Sequence, residues 1–415
     1  MSIIDEMIGK LCPKGVEYKT LGEISTITRG KRFVHADAVQ EGVPCIHYGE
    51  IYTYYGISAT CARSHIREEL KNKMRYAVCG DVIVVGAGEN KDDIGIAVAW
   101  NGKEPVAIHD ACYILHHTQN SKYISYFMRT ENYHAQLRKY VSEGKICSFS
   151  ATNLAQIVIP VPPLPIQEEI VRILDSFTKL EAELEAELEA RKKQYIYYRD
   201  KLLSVDGAHK SVNGLKYIPI SEFAECFAGA TPSTSNPEFW ENGTIPWMSS
   251  GEVNKQIIYN TEKKITQVAY EKCSTKLVPP GTVVIALAGQ GKTRGLVAIT
   301  KIELCTNQSL CSVIPNKSVK SEYLYHFLRS QYQKLRSISS GDGTRGGLTL
   351  TMVKSFLVPI PPMKEQERIV SILDKFDALV NDLTSGLPAE LAARRQQYEF
   401  YRDRLLSFTP ISQGA

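Results

Sequence analysis

Organised cysteine is what this sequence lacks first. Its ten cysteines are scattered and form no Cys-x-x-Cys pair. That removes the ligand spacing of a zinc site and the framework of a disulfide-stapled domain, so the expectation is reduced thiols, most of them filling cores, in a cytoplasmic protein. No stretch reaches the roughly 18–20 apolar residues of a membrane helix. The opening residues, MSIIDEMIGKLCPKG, carry acids and no long apolar run, unlike a signal peptide. Nine histidines show no His-Glu-x-x-His spacing. Charge of one sign is also scarce. A net +4 over 415 residues neither requires nor excludes a nucleic-acid partner, because clustering on a surface decides that. No Ser/His/Asp set or other catalytic constellation can be named.

A long internal repeat dominates what is present. Pro160, Gln167, Ile170, Asp175 and Phe177 recur as Pro359, Gln366, Ile369, Asp374 and Phe376, each 199 positions on. Tyr195, Arg199, Asp200 and Leu203 recur as Tyr398, Arg402, Asp403 and Leu406, now 203 positions on. A repeat unit of half the chain predicts two similar halves related by an approximate two-fold axis. The length allows two or three domains with separate cores.

Each half reads as a β-rich α+β globule followed by a long helix. GDVIVVGAG and IGIAVAW form a buried hairpin pattern joined by the polar tip Glu89 to Asp93, and GTVVIALAG repeats its first strand. VPCIHYGEIY parallels IPWMSSGEVN, and AIHDACYIL parallels CTNQSLCSV, which sets His109-Asp110 over Asn307-Gln308. Residues 121–141 read as one amphipathic helix, and SKYISYFMR recurs as SEYLYHFLR. His116-His117 falls at a strand end and reads as surface.

From Pro165 to Ser204 the pattern is helical, about 60 Å long at about 1.5 Å per residue. Leu180, Leu184 and Leu188 lie at i, i+4, i+8 and predict its apolar face. A helix this long needs a partner, and the repeated one, paired antiparallel, is the obvious choice. The Leu pattern alone favours a plain helix hairpin core, and the duplication is what argues for a spacer. The distal copy carries four extra residues around Gly386 and Pro388, which should break or kink it.

Two stretches resemble chemical motifs. ALAGQGKT, ending at Thr293, fits the loose phosphate-loop pattern, but LVAIT follows it where a helix is required. Nucleotide binding, a DNA-contacting hairpin tip and a solvated turn all remain open for it. Asn236-Pro237-Glu238-Phe239 is similar to an amino-methyltransferase motif but lacks its second proline, and a turn is the better reading. Polar loops then recur at matching places in each half. In the first half they carry Arg29, Lys31, Arg32, Tyr48, Asn90, Lys91 and Lys145. In the second they carry Thr231, Ser233, Ser249, Gln290, Lys292, Arg294 and Arg345. Such residues suit DNA, because Arg and Lys hold phosphate or read guanine and Asn and Gln pair with adenine. Any one such loop is more often simply solvated, and it is their recurrence in register in both halves that points to DNA.

The paired IPxPPxxxQExIVxILDxF entries, the EAEL-type helix and the QYxxYRDxLLS exits, with a β-rich domain before each copy, resemble the specificity subunit of Type I restriction-modification systems. The resemblance spans essentially the whole chain. It implies an α+β fold with a first target recognition domain at 1–150, a central repeat with a long spacer helix at 151–209, a second recognition domain at 210–350 and a distal repeat at 351–415. The two helices would pack as an antiparallel coiled coil with pseudo-two-fold symmetry. It further implies a non-catalytic chain in which each domain reads half of a split, asymmetric double-stranded DNA site. Two methyltransferase subunits would bind the repeats and motor-nuclease subunits would join them. S-adenosylmethionine, ATP and magnesium would be used by those partners, with no cofactor in this chain. A rival of another class is a coiled-coil scaffold whose two domains bind protein. An ATPase built on Gly291-Lys292-Thr293 is a second.

Overall fold

The computed structural model describes residues 3–89, 91, 94–142, 144, 146–203, 216–289, 293–339, 347–382 and 384–411. The chain divides into two compact units. The first joins Met1–Glu185 to Glu390–Ala415, and the second is Ala186–Ala389. The long helix Leu164–Leu203 therefore contributes its first half to one unit and its second half to the other.

In the first unit, the predicted hairpin forms the centre of a five-stranded sheet. Val82–Val85 pairs antiparallel with Ala97–Trp100, with Val84 opposite Ala97. Every residue of both strands is buried, which is why both are continuous apolar runs and do not alternate. Cys112–His117 and Ser25–Arg29 extend one side of the sheet and Ser58–Ala59 the other. A second five-stranded sheet is organised on Val43–Ile46, which runs parallel to Val106–Ile108 with Cys45 opposite Ala107. The second unit repeats the plan. Val283–Ala286 pairs antiparallel with Val297–Thr300, and Ile245–Met248 runs parallel to Leu304–Thr306 with Trp247 opposite Cys305.

The single helix expected over 121–141 is two, Ser121–Phe127 and Glu131–Leu137. The break is at Thr130. Its hydroxyl donates to the Phe127 carbonyl at 2.7 Å and accepts from the Tyr133 amide at 3.3 Å, ending one helix and capping the next. His117 is half-buried, not surface; burial, the largest influence on it, lowers its pKa.

The repeated Gln167 and Gln366 fasten each globule to its helix. Both are fully buried. The Gln167 amide nitrogen donates to the Pro162 carbonyl at 2.7 Å and to Gln119 Oε1 at 2.8 Å, and its oxygen accepts from the Asn120 amide at 3.0 Å. Gln366 does the same with the Pro361 carbonyl at 2.8 Å, the Ser318 carbonyl at 3.0 Å and the Lys320 amide at 2.8 Å. Beside them, Tyr123 and Tyr323 donate to the Pro160 and Pro359 carbonyls at 3.0 and 2.7 Å.

The distal repeat is broken as its Gly and Pro require, into Met363–Asn381 and Leu387–Leu405. In the first unit, Phe177 stacks on Tyr401, while Glu181 and Glu185 both take Arg395. Moving forward along the central helix moves backward along Leu387–Leu405, so this pair is antiparallel. In the second unit, Tyr195 and Tyr198 lie against Phe376, with ring centroids 6.5 and 5.8 Å away. The seam on the central helix keeps two of the three predicted leucines, Leu184 and Leu188, but not Leu180, which is 36% exposed. Glu181, Leu184, Leu188, Arg191 and Tyr195 are among the less exposed positions. Steps of four drift by about 40° per turn of a 3.6-residue helix, while alternating steps of three and four stay on one face.

Candidate functional site

The end of the strand Ser25–Arg29 opens the polar surface of the first unit. The Gly30 amide donates to the Cys112 carbonyl at 2.9 Å and the Lys31 amide to the Ile108 carbonyl at 2.8 Å. A Cβ on Gly30 would stand 2.2 Å from the His109 carbonyl oxygen, so only glycine allows this approach. Gly229 makes the same approach to the Thr306 carbonyl oxygen, where a Cβ would stand 1.8 Å away. In both units this crossing holds the loop after the first strand against the 108–110 or 306–308 turn.

Around it the first unit gathers a basic and aromatic cluster. Arg29 Nε donates to the Asp110 carbonyl and Arg75 Nη1 to the Arg29 carbonyl, both at 2.7 Å. The His47 and His109 rings lie 4.5 Å apart, with Tyr48 at 4.3 Å from His47 and Phe33 at 5.0 Å from His109. Burial pushes both imidazoles below their ordinary pKa, against the pull of the Asp110 carboxylate on each. They are therefore neutral at neutral pH. His47 Nδ1 accepts from the Gly49 amide at 3.3 Å and His109 Nδ1 from the Ala111 amide at 3.1 Å, which leaves the proton on Nε2 of each.

The second unit keeps the scaffold and changes the chemistry. The Glu50 carboxylate accepts from the His47 amide at 2.8 Å, and Glu252 accepts from the Ser249 amide at 2.8 Å. That shared cap explains the repeated Glu. Where His47 and His109 stand in the first unit, Ser249 and Asn307 stand in the second. Thr231 Oγ1 donates to Gln308 Oε1, and Trp247 Nε1 donates to the Ala230 carbonyl at 3.0 Å. The surface is one of hydroxyls and amides, with no imidazole or arginine among these positions.

Of the residues expected to contact DNA, Arg29, Lys31 and Arg32 share one exposed loop, and Tyr48 packs half-buried beside the two histidines. Lys91 is exposed in the hairpin turn. The pairing of Cys147–Ser148 with Ala87–Gly88 brings Ser148, with Ser142, to a cleft of about 510 Å³ that Arg29 also lines. Thr231 reaches Gln308, and Ser233 lies on the same loop, its hydroxyl 2.9 Å from that of Ser235. Ser249 is a half-buried cap, and Arg294 is half-buried in the turn before Val297–Thr300. Asn90, Lys145, Gln290, Lys292 and Arg345 lie outside the described residues. The phosphate-loop reading meets a strand, Val297–Thr300, in place of the required helix. Asn236 caps a short turn, its side chain accepting from the Glu238 amide at 3.1 Å.

Arg75, His109, Asp110, Asn307 and Gln308 were not on the expected list. The signal for four of them was available: aligned polar pairs that differ between otherwise matching strands. Among the described residues no group of three or more His, Cys, Asp or Glu is placed to hold a metal, and no helix is long and apolar enough to cross a membrane.

Residues 13–190 and 213–393 each match the Type I restriction modification DNA specificity domain. The specificity subunit of the type I restriction enzyme EcoR124I/EcoR124II of Escherichia coli is 39% identical over 296 residues, covering 69% of this chain and 70% of that one. A putative type I specificity subunit of Haemophilus influenzae is 30% identical over 318 residues, 74% of each chain. The crystal structure of a Type I restriction-modification S subunit from M. genitalium superposes with a TM-score of 0.56 at 13% identity, covering 94% of this chain and 96% of that one, a likeness of fold.

Proposed function

This chain belongs to the Type I restriction-modification DNA specificity family, as a specificity subunit with two target recognition domains, and we propose that each domain reads one half of a bipartite, asymmetric double-stranded DNA site. One observation carries this reading. The two domains hold the same backbone crossing at Gly30 and Gly229 and the same carboxylate cap at Glu50 and Glu252, yet present different polar groups from it. A scaffold kept twice with unlike faces is what two different half-sites require.

The chemistry assigns roles. Arg29, Arg32 and Arg75, with the Nε2–H group of His47, offer donors to base-edge acceptors such as guanine O6 and N7. The exposed Gln308 offers its amide NH2 as a donor to adenine, its oxygen being held by Thr231, while the buried Asn307 keeps its oxygen on the Ser309 amide. Lys31, Lys91, Thr231 and Ser233 suit phosphate, which positions without specifying. The proposal extends to Asn90, Lys145, Gln290, Lys292, Arg294 and Arg345, whose residue types suit the same contacts.

The helices in this reading set the spacer between half-sites and dock two methyltransferase subunits, and motor-nuclease subunits join for restriction. The chain itself is non-catalytic. S-adenosylmethionine, ATP and magnesium serve the partners, in the cytoplasm. The test is to exchange residues 18–148 for another recognition domain and map adenine methylation in cells that also make the methyltransferase subunit. One half-site should change and the other stay. A change in both halves would contradict independent readers.

A further inference from the structure

Each unit has a cleft between its globule and its helices, and the two clefts differ in charge. The first unit's cleft is about 760 Å³ and is lined by Lys122, Arg129, His134, Lys179 and Arg402, against Asp175 and Glu181. The second unit's cleft is about 730 Å³ and holds Glu322, Asp374, Asp377 and Asp382, against Lys255, Lys301 and His326.

The repeat aligns them residue by residue. Arg129 corresponds to Arg329, Asp175 to Asp374 and Thr178 to Asp377. In the second unit Arg329 is neutralised, its Nη1 donating to Asp377 Oδ1 at 2.7 Å. In the first unit Thr178 stands where that carboxylate would be. Arg129 Nη2 reaches only the Gly56 and Ala97 carbonyls, at 2.8 and 3.2 Å, and its buried Nε has no partner among the described residues.

No carboxylate of the cleft is left over for it. Asp175 is taken by Lys122 at 2.7 Å and the Tyr126 hydroxyl at 2.8 Å, and Glu181 by Arg395 at 2.6 Å. Arg402 has Asp403 at 2.8 Å, and Lys179 has Glu183 at 3.8 Å. The electrostatics agree with the geometry. Burial lowers the Arg129 pKa, with Arg402, against the smaller opposing pull of Tyr398 and Tyr126. Burial also opposes the charge on Arg329, but Tyr325, Tyr195 and Asp377 outweigh it and raise its pKa.

We propose that the first unit's cleft is an oxyanion site that takes a carboxylate or phosphate group against Arg129, in the place Asp377 fills for Arg329. Half-burying a guanidinium without a counter-charge is costly, and the second unit shows how the same fold relieves that cost from within. The site owes nothing to the DNA-reading loops, so it stands or falls separately from them.

The probe is inorganic phosphate, and the readout is thermal unfolding of the full chain in phosphate against chloride at equal pH and ionic strength. Phosphate at roughly ten times its Kd should raise the Tm by about 2–4 °C. Thr178→Asp supplies the internal carboxylate, so it should unfold no lower than the wild type in chloride and lose the phosphate effect. Asp377→Thr, the converse change, should give the second unit its own phosphate effect. The proposal is overturned by equal Tm values for the wild type in the two salts, or by a phosphate effect that survives in Thr178→Asp. Repeating the measurement on the chain assembled with methyltransferase subunits identifies the source. A phosphate effect that vanishes on assembly assigns the site to a carboxylate of that partner, and one that persists assigns it to free phosphate.

Discussion

Phe177 stacks on Tyr401 with ring centroids 5.6 Å apart and planes 23° from parallel. Their repeat mates, Phe376 and Tyr198, stack at 5.8 Å and 26°. The residue from the start of one repeat thus meets the residue from the end of the other, in both units. That exchange is what makes the distal helix part of the first unit, where Leu406 is buried in the core and the Tyr18 hydroxyl donates to the Phe408 carbonyl at 2.8 Å.

A double-mutant cycle should detect the stacking. Phe177→Ala and Tyr401→Ala are each expected to destabilise the first unit, with a coupling of about 0.5–1.5 kcal/mol beyond the separate losses. Urea unfolding of the four proteins checks it. Additive losses would show that the rings only share a neighbourhood.

The buried glutamines should be worth more than their surface area. Gln167→Leu strands the Asn120 amide and the Pro162 carbonyl, which among the described residues only Gln167 satisfies. The expected loss is about 2–4 kcal/mol, and Gln366→Leu should cost the second unit a similar amount. Hydrogen exchange read domain by domain separates the two, since each variant should loosen its own unit. A loss below about 0.5 kcal/mol would mean that water or rearrangement replaces the side chain.

Acid should weaken the first domain through its histidines. Burial holds His47 and His109 below the ordinary imidazole value of about 6.5. The unfolded chain then binds protons that the folded chain refuses. Their contribution is fully present above pH about 6.5 and is lost as the pH falls through the lowered folded values. The second unit has Ser249 and Asn307 at these places. His47→Ser combined with His109→Asn should therefore flatten the acid limb of the first unit's stability profile, measured by denaturation across pH 5–8. An unchanged limb would assign the dependence to other groups, such as His117 and His134, whose pKa values burial also lowers.

Sequence and structure agree most closely where one residue's environment is set by near neighbours. The Val82–Val85 and Val283–Ala286 hairpins were legible as apolar runs, and the distal break as Gly386 and Pro388. The repeat revealed that Gln167 and Gln366 matter, but not why, because their partners at 119–120 and 318–320 lie on another element. Leu180 looked like core because three leucines four apart suggest a face. The actual seam is set by the partner helix and passes through Glu181 and Arg191. At the site, the loops carrying Arg29 and Thr231 were legible from their composition. The meeting of His47 with His109 was not, because a parallel strand pair far apart in sequence creates it. The Arg129 cleft was also hidden, since Thr178 reads as unremarkable until Asp377 is seen to fill the same place.

The central claim is that this chain confers sequence on a DNA methyltransferase. The most direct test is to express it with a Type I methyltransferase subunit and sequence host DNA by a method that reports N6-methyladenine. The account predicts one split motif, methylated on both strands and absent without this chain. Inserting four residues between Leu184 and Leu188 should lengthen its spacer by at most one or two base pairs, since about 6 Å of helix meets about 3.4 Å per pair. A folded, assembled complex that methylates no motif, or one whose motif is unchanged when this chain is removed, would contradict it.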